Sequence, residues 1–184
     1  MARHTFYLGL GSNLGDRQTL LERAIDRLTS RAERWRRAPW YATAPVDYLA
    51  QPWFLNTVLE VTTDIAPAEM LTLGLQLEAD VGRVRSIPKG ARPLDVDVLL
   101  CQALDGQFLV SDDPTLTLPH PRLHLRRFVL VPLCDLIPTA EHPHFKQTFA
   151  ALLAACPDNS PVHAWDASAV DSAANSAAGD QSEA

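Results

Sequence analysis

The order in which apolar periodicity changes along residues 5–101 constrains this chain more than any motif in it. Residues 5–11 (TFYLGLG) carry the period-two pattern of a strand. Leu20, Leu21, Ala24, Ile25 and Leu28 then recur at helical spacing behind Asp16, a residue type that caps helix starts. Residues 34–43 (RWRRAPWYAT) read as a second strand, which Pro39 assigns to an edge or a bulge because its nitrogen cannot donate to a ladder. A third strand, 54–63 (FLNTVLEVTT), is rich in β-branched residues. Pro67 suits a first helical position and Glu69 a first turn; Met70, Leu73, Leu77 and Val81 form one stripe, which Gly82 can end. A last strand covers 94–101 (LDVDVLLC). The order β-α-β-β-α-β predicts an α+β, ferredoxin-like fold, with two helices on one face of an antiparallel sheet and the other face open to a ligand. Apolar segments near 128–138 and 145–156 read as shorter helices added to that frame.

This order excludes one reading of YLGLGSNLGD, residues 7–16. A dinucleotide fold needs parallel strands and G-x-G-x-x-G, whereas these glycines are spaced Gly9-x-Gly11-x-x-x-Gly15. The acidic residue that would hold a ribose about 20 residues on has no candidate near RWRRAPWY.

Side chains two apart on a strand share a face. Phe6, Leu8 and Leu10 share one face of the first strand, with Gly9 and Gly11 opposite. Leu55, Leu59 and Val61 oppose Phe54 and Asn56; Leu94, Val96, Val98 and Leu100 oppose Asp95 and Asp97. With the apolar rows under the helices, the open face gathers glycines, an aromatic ring, an amide and two carboxylates. An aromatic and an amide can stack on and hydrogen-bond a heterocycle, and glycines admit a flat group to the backbone. Carboxylates ~7 Å apart along a strand repel unless a cation joins them, and such a pair, completed by substrate phosphates, suits Mg²⁺. Arg83, Arg85, Lys89 and Arg92 precede the acids, as a polyphosphate site would require. Each feature also has a plainer reading: a solvated D-x-D edge, a core Phe54, a surface Asn56, a strand bend at the glycines, a hydrated basic loop.

Four segments, in order, resemble the 6-hydroxymethyl-7,8-dihydropterin pyrophosphokinase family: YLGLGSNLGDR, PWYATAPVDYLAQPWFLNTVLEVTT, LEADVGRVRSIPKGARPLDVDVLL and LPHPRLHLRRFVLVPL, together spanning residue 7 to about 138. The resemblance implies the same ferredoxin-like fold and a reaction in which the pterin hydroxymethyl oxygen attacks the β-phosphorus of the co-substrate ATP and AMP leaves. It implies that Asp95 and Asp97 bind two Mg²⁺ ions, with Arg85 and Arg92 also catalytic. Phe54 and Phe128 would sandwich the pterin, Asn56 would bond its polar edge, and Gly11, Thr43, Pro45 and Val46 would complete that pocket. Glu78, Arg83, Arg85, Arg92, Val98, His120 and Arg126 would contact ATP. Leu75 stands where the family usually has Gln, and Lys89-Gly90-Ala91 where it often has Trp-Gly-Pro, so one nucleotide contact lacks its residue and no aromatic lid is assumed.

Composition bounds the rest. A chain of 184 residues with 47% hydrophobic residues suits one domain, expected over 1–165, and the small and acidic residues of 166–184 read as a disordered tail. No apolar run approaches the ~20 residues of a membrane span, and MARHTFYLGLGSN lacks a signal-peptide pattern. Cys101, Cys134 and Cys156 are too scattered for a disulfide framework or thiolate zinc site, so a cytoplasmic setting is expected. Net charge of −6 argues against bulk nucleic-acid binding, and Arg34, Trp35, Arg36, Arg37 and Trp40 read as a solvated strand face. His120 and His124 could ligate zinc from a helix, which Pro121 opposes. The expectation is therefore a monomer whose partners are ATP and a reduced pterin, without nucleic acid or membrane; the rival is a non-catalytic ferredoxin-like binding module.

Overall fold

Residues 3–46, 48–82 and 90–165 are described by the computed structural model. In chain order they form β1 (His4–Ser12), α1 (Arg17–Leu28), β2 (Ala32–Arg37), β3 (Tyr41–Thr43), β4 (Phe54–Thr63), α2 (Pro67–Asp80) and β5 (Asp95–Ala103). A hairpin of β6 (Ser111–Asp113) and β7 (Leu116–Leu118) follows, then α3 (Arg127–Leu136), α4 (Phe149–Ala154) and β8 (Val162–Ala164). The main sheet runs β5-β1-β4-β3-β8, with β2 also on β4, and every pairing is antiparallel. This is the ferredoxin-like arrangement expected from the element order.

Local chemistry sets the helices. Asp16 caps α1, its carboxylate accepting from the Thr19 N–H at 3.2 Å and the Thr19 hydroxyl at 2.7 Å. The α1 stripe buries Leu21, Ala24, Ile25 and Leu28. Pro67 opens α2, and Gly82 at φ +73° follows its end. Within α2, Gly74 matters for a different reason: a Cβ there would lie 3.0 Å from the Val96 side chain, so glycine lets the helix approach β5 closely. Leu21, Leu28, Met70 and Leu77 from these helices form one core with Phe6, Leu8, Leu10, Leu55, Leu59 and Val61.

The opposite face is not open throughout. α3 and α4 lay Val129, Leu130, Leu133, Phe149 and Leu152 against Tyr7, Val58, Leu99 and Leu100, making a second core. Leu100 belongs to it, and not to the row of Val96 and Val98, because the β1–β5 register shifts between Tyr7 and Leu8. Tyr7 faces Leu100 while Leu8 faces Val98, so Leu99 is the extra residue of a bulge and every side chain beyond it changes face.

The stretch expected as one strand over 34–43 is two. β2 pairs with the Leu59–Thr63 end of β4 and β3 with the Phe54–Asn56 end. Pro39 falls in the break, where Ala38 keeps contact through its N–H on Val58 O (3.0 Å) and its carbonyl, which accepts from Thr57 Oγ1 (2.9 Å). On β2, Arg36 pairs with Glu60 at 2.7 Å and Trp35 is exposed, but Trp40, expected with them on a solvated face, packs against the first core. The tail expected at 166–184 lies outside the described residues.

α4 packs beside a histidine–aromatic cluster with a consequence for acid stability. His142 is buried, its ring 4.6 Å from Phe145 and 6.1 Å from Phe149. Burial, then His144 and His124, push its imidazole down to about 4. The folded protein therefore holds it neutral, and stability present above its ordinary value of about 6.5 is lost as pH falls through 6.5 toward 4. Urea unfolding at pH 7, 5.5 and 4.5 should show a loss on the order of 1–2 kcal/mol from this site. His142→Phe should flatten that slope.

Candidate active site

Three strands bring the polar residues into register. Asp95 of β5 lies opposite Gly11 of β1, and Gly11 lies opposite Asn56 of β4. The next row on the same face is Asp97, Gly9 and Val58. An acid and an amide thus stand about 10 Å apart, two strand spacings, with glycine between them. The glycine is sterically required, since a Cβ at Gly11 would collide with Asn56 Oδ1. Asn56 is buried and donates Nδ2–H to Thr43 Oγ1 at 2.6 Å, which fixes which way its amide points.

A cleft of about 640 Å³ opens over this row. Thr43, Pro45, Val46, Phe54, Asn56 and Phe128 line one part of it; Asp95, Asp97, Arg92, His120 and Arg126 line another. Glu78 and Val98 also reach it. Thirteen of the sixteen residues singled out from the sequence therefore share one cavity, Gly11, Arg83 and Arg85 being the others. Gly11 lies behind Asn56 and lines a small adjoining cavity with Asp95, Asp97 and Phe128. Arg83, Arg85 and Lys89 lie outside the described residues.

Charge in the cleft is paired across short distances. Arg92 contacts Asp95 at 2.7 Å and lies 5.0 Å over the Phe54 ring. Arg126 contacts Asp97 at 3.6 Å and lies 5.5 Å over the Phe128 ring. Burial first, then the Asp95 charge, push the Asp97 carboxyl up to about 6, against the opposing pull of Arg126 and Arg92. His120 is pushed down to about 4, by burial and then by Arg126 and Arg122. Its Nδ1 accepts the Arg122 N–H at 3.2 Å, so the neutral ring keeps Nε2–H as a donor.

Neighbouring elements hold these groups in place. β5 is an edge strand, and Glu78 Oε1 accepts its Val96 N–H at 2.9 Å, a bond made possible by the close approach at Gly74. Buried Asn13 accepts the Arg92 N–H on Oδ1 at 2.7 Å and donates Nδ2–H to Gln51 Oε1 and Pro52 O, each at 3.0 Å. One amide thus joins the Arg92 segment to the loop before Phe54.

Donor chemistry fits a divalent cation in part. Two adjacent carboxylates, one with a raised pKa, are a hard-oxygen pair that Mg²⁺ would complete with water and phosphate oxygens. Among the described residues no cluster of three or more His, Cys, Asp or Glu could hold a metal unaided. His124 contacts Phe145 at 4.5 Å, and a short 3₁₀ turn at Leu123–Leu125 replaces the helix that His-x-x-x-His ligation would need.

Of the third wall, sequence reasoning flagged only Leu75, where the resemblance places a nucleotide contact. Leu71 and Leu75 of α2 meet Thr115, Leu116 and Thr117 of the β6–β7 hairpin there. Its turn signal was legible: Asp113 Oδ1 accepts from the Thr115 N–H (2.8 Å) and hydroxyl (2.7 Å), a side-chain-closed turn at DDPT. Nothing local reveals that the hairpin leans on α2. Arg122 also lines the cleft and went unremarked.

Residues 7–138 match the family model described as 7,8-dihydro-6-hydroxymethylpterin-pyrophosphokinase; β8 lies beyond that match. A 2-amino-4-hydroxy-6-hydroxymethyldihydropteridine pyrophosphokinase of Bacillus subtilis is 37% identical over 137 residues, covering 73% of this chain and 79% of the relative. One of Pseudomonas aeruginosa is 37% identical over 153 residues, 82% of this chain and 91% of its own length. Among solved structures, a Plasmodium falciparum HPPK-DHPS matches 83% of this chain with a TM-score of 0.64 at 15% identity, a likeness of fold alone. This chain spans 44% of that longer one.

Proposed function

The chain belongs to the 7,8-dihydro-6-hydroxymethylpterin-pyrophosphokinase family, and from that premise we propose that the cleft over β5, β1 and β4 is where its two substrates meet. It transfers pyrophosphate from ATP to the hydroxymethyl group of 6-hydroxymethyl-7,8-dihydropterin and releases AMP. The hydroxymethyl oxygen bonds to the β-phosphorus and gives up its proton to solvent, the bond from that phosphorus to the α–β bridging oxygen breaks, and AMP carries the bridging oxygen away. A non-catalytic module is not favoured.

The row Asp95–Gly11–Asn56 supports our assignment of the site more than any other observation. Its amide end takes the pterin: Phe54 and Phe128 stack on the ring, and Asn56, oriented by Thr43, bonds the polar edge. Thr43, Pro45 and Val46 bound that pocket, and Gly11 gives Asn56 room to lean. The acid end takes the triphosphate. Mg²⁺ bound by Asp95 and Asp97, two ions in our reading, would neutralise phosphate charge and align the attacking oxygen. Phosphate oxygens would compete with the carboxylates for Arg92 and Arg126, converting two internal ion pairs into substrate contacts. His120 would add its Nε2–H, and Arg83 and Arg85 are proposed as further phosphate contacts. The apolar wall of Leu71, Leu75 and Leu116 is left for the base, beside Val98, with Glu78 acting on that end by holding β5.

We propose a monomer as the working unit, and a cytoplasmic setting suits its three free cysteines. Among the described residues no helix is long and apolar enough to cross a membrane. We propose residues 1–165 as the catalytic domain. Incubation with ATP, Mg²⁺ and the reduced hydroxymethylpterin should yield AMP and a pterin heavier by a pyrophosphate group. ADP as product, or AMP release that ignores the pterin, would contradict this reading.

A further inference from the structure

The cleft wall beside Asn56 is formed partly by the loop between β3 and β4. Ala44, Pro45, Val46 and Gln51 line the cleft, and the loop ends at Trp53, next to Phe54. Its own burial does little to hold it: Val46, Tyr48 and Leu49 are 39%, 42% and 73% exposed. Pro45 is buried, and Gln51 donates Nε2–H to Tyr48 O at 2.7 Å and its N–H to Leu49 O at 2.9 Å within the loop; the rest of its order comes from its ends. Asn13 supplies one tether, at Gln51 and Pro52.

The five residues Pro161–Trp165 supply the others. β8 extends β3, with Ala42 opposite His163 and Thr43 opposite Val162, and Pro161 O accepts the Ala44 N–H at 3.1 Å. At the far end of the loop, the His163 ring stacks on Trp53, centroids 5.7 Å apart and planes 8° from parallel. Arg17 closes the corner: Nη1 donates to Trp53 O at 2.9 Å, and its guanidinium lies 4.9 Å over the Trp165 ring. One short C-terminal strand therefore touches both ends of a cleft-lining loop.

We propose that β8, through the His163–Trp53 stack, holds this loop in the conformation that receives the pterin, and that His163 is a positioning residue for that substrate. The assignment rests on the pterin end of the cleft being as proposed above. His163 does not line the cleft, so it acts through the fraction of molecules whose loop is in place. Apparent substrate affinity falls in proportion to that fraction, while turnover of the filled site does not change. Loss of one aromatic stack should reduce pterin affinity about three- to ten-fold.

His163 and Trp53 are both exposed, so a change at His163 leaves both cores intact. In the full chain, His163→Ala should raise KM for the pterin about three- to ten-fold. KM for ATP and kcat should stay within about two-fold, and His163→Phe, which keeps a flat ring, should restore the pterin KM. Amide hydrogen exchange provides a readout free of substrate: the Ala44 N–H should exchange faster in His163→Ala and return to the parent rate in His163→Phe. Unchanged exchange, an unchanged pterin KM, or both KM values rising together with a lower melting temperature would overturn the proposal. If the parent chain shows no pterin-dependent turnover, the site reading fails, and the exchange result still decides whether the strand holds the loop.

Discussion

Asp97→Asn is expected to lose about 1,000-fold or more in turnover while melting no lower than the parent at pH 7. The two outcomes share a cause. Asp97 stands one register step from Asp95 on the same face of β5, and its carboxyl is pushed up to about 6 by burial and by that neighbour. A group with a raised folded pKa makes the native state costlier as it ionises, so the neutral amide removes a cost at pH 7. The proposed function asks the reverse: the charge would be needed where a triphosphate and its cation are held. Circular-dichroism melting alongside AMP release would separate the two effects. A fall in melting temperature together with activity would mean that Asp97 serves the fold, and near-parental turnover would remove it from the chemistry.

Asn56→Ala should reduce kcat/KM for the pterin by about 100-fold or more and leave ATP-analogue affinity within about two-fold. A site that hydrogen-bonds a heterocycle discriminates strongly, because an unpartnered buried polar group is costly. Asn56 is buried, oriented by Thr43 at 2.6 Å, and two strands away from Asp95, so its loss should not reach the phosphate end. Separate titrations with pterin and nucleotide would test the division of the cleft. Equal losses for both ligands would contradict it.

Period-two alternation placed the strand residues of the candidate site, whereas Thr43, Phe128, His120 and Arg126 came only with the family resemblance. Asp95 with Asp97, Phe54 with Asn56, and Gly9 with Gly11 fall on one face because three strands keep unbroken register where these residues lie. Further along β5 the same rule fails at Leu100, since a bulge at Leu99 leaves no mark in the residue pattern. The second core was legible and was passed over: Tyr7, Val58 and Leu99 are apolar on the face expected to be open, and α3 and α4 cover them. The apolar wall and β8 were not legible. Leu71, Leu75 and Leu116 meet through a hairpin folding back on a helix, and Val-His-Ala carries no period to detect. Pro39 was read as an edge or bulge position within one strand; that it separates β2 from β3 shows only in the pairing of both with one long partner.

We propose that the β5 acids bind a triphosphate through a divalent cation beside an aromatic slot. Titration calorimetry with a non-hydrolysable ATP analogue tests it most directly, using the parent chain and an Asp95→Asn/Asp97→Asn double variant, with and without Mg²⁺. We expect binding by the parent that depends on Mg²⁺, tighter pterin binding once the analogue is in place, and loss of the Mg²⁺ dependence in the double variant. Equal affinity without Mg²⁺, or a double variant that binds like the parent, would contradict the account.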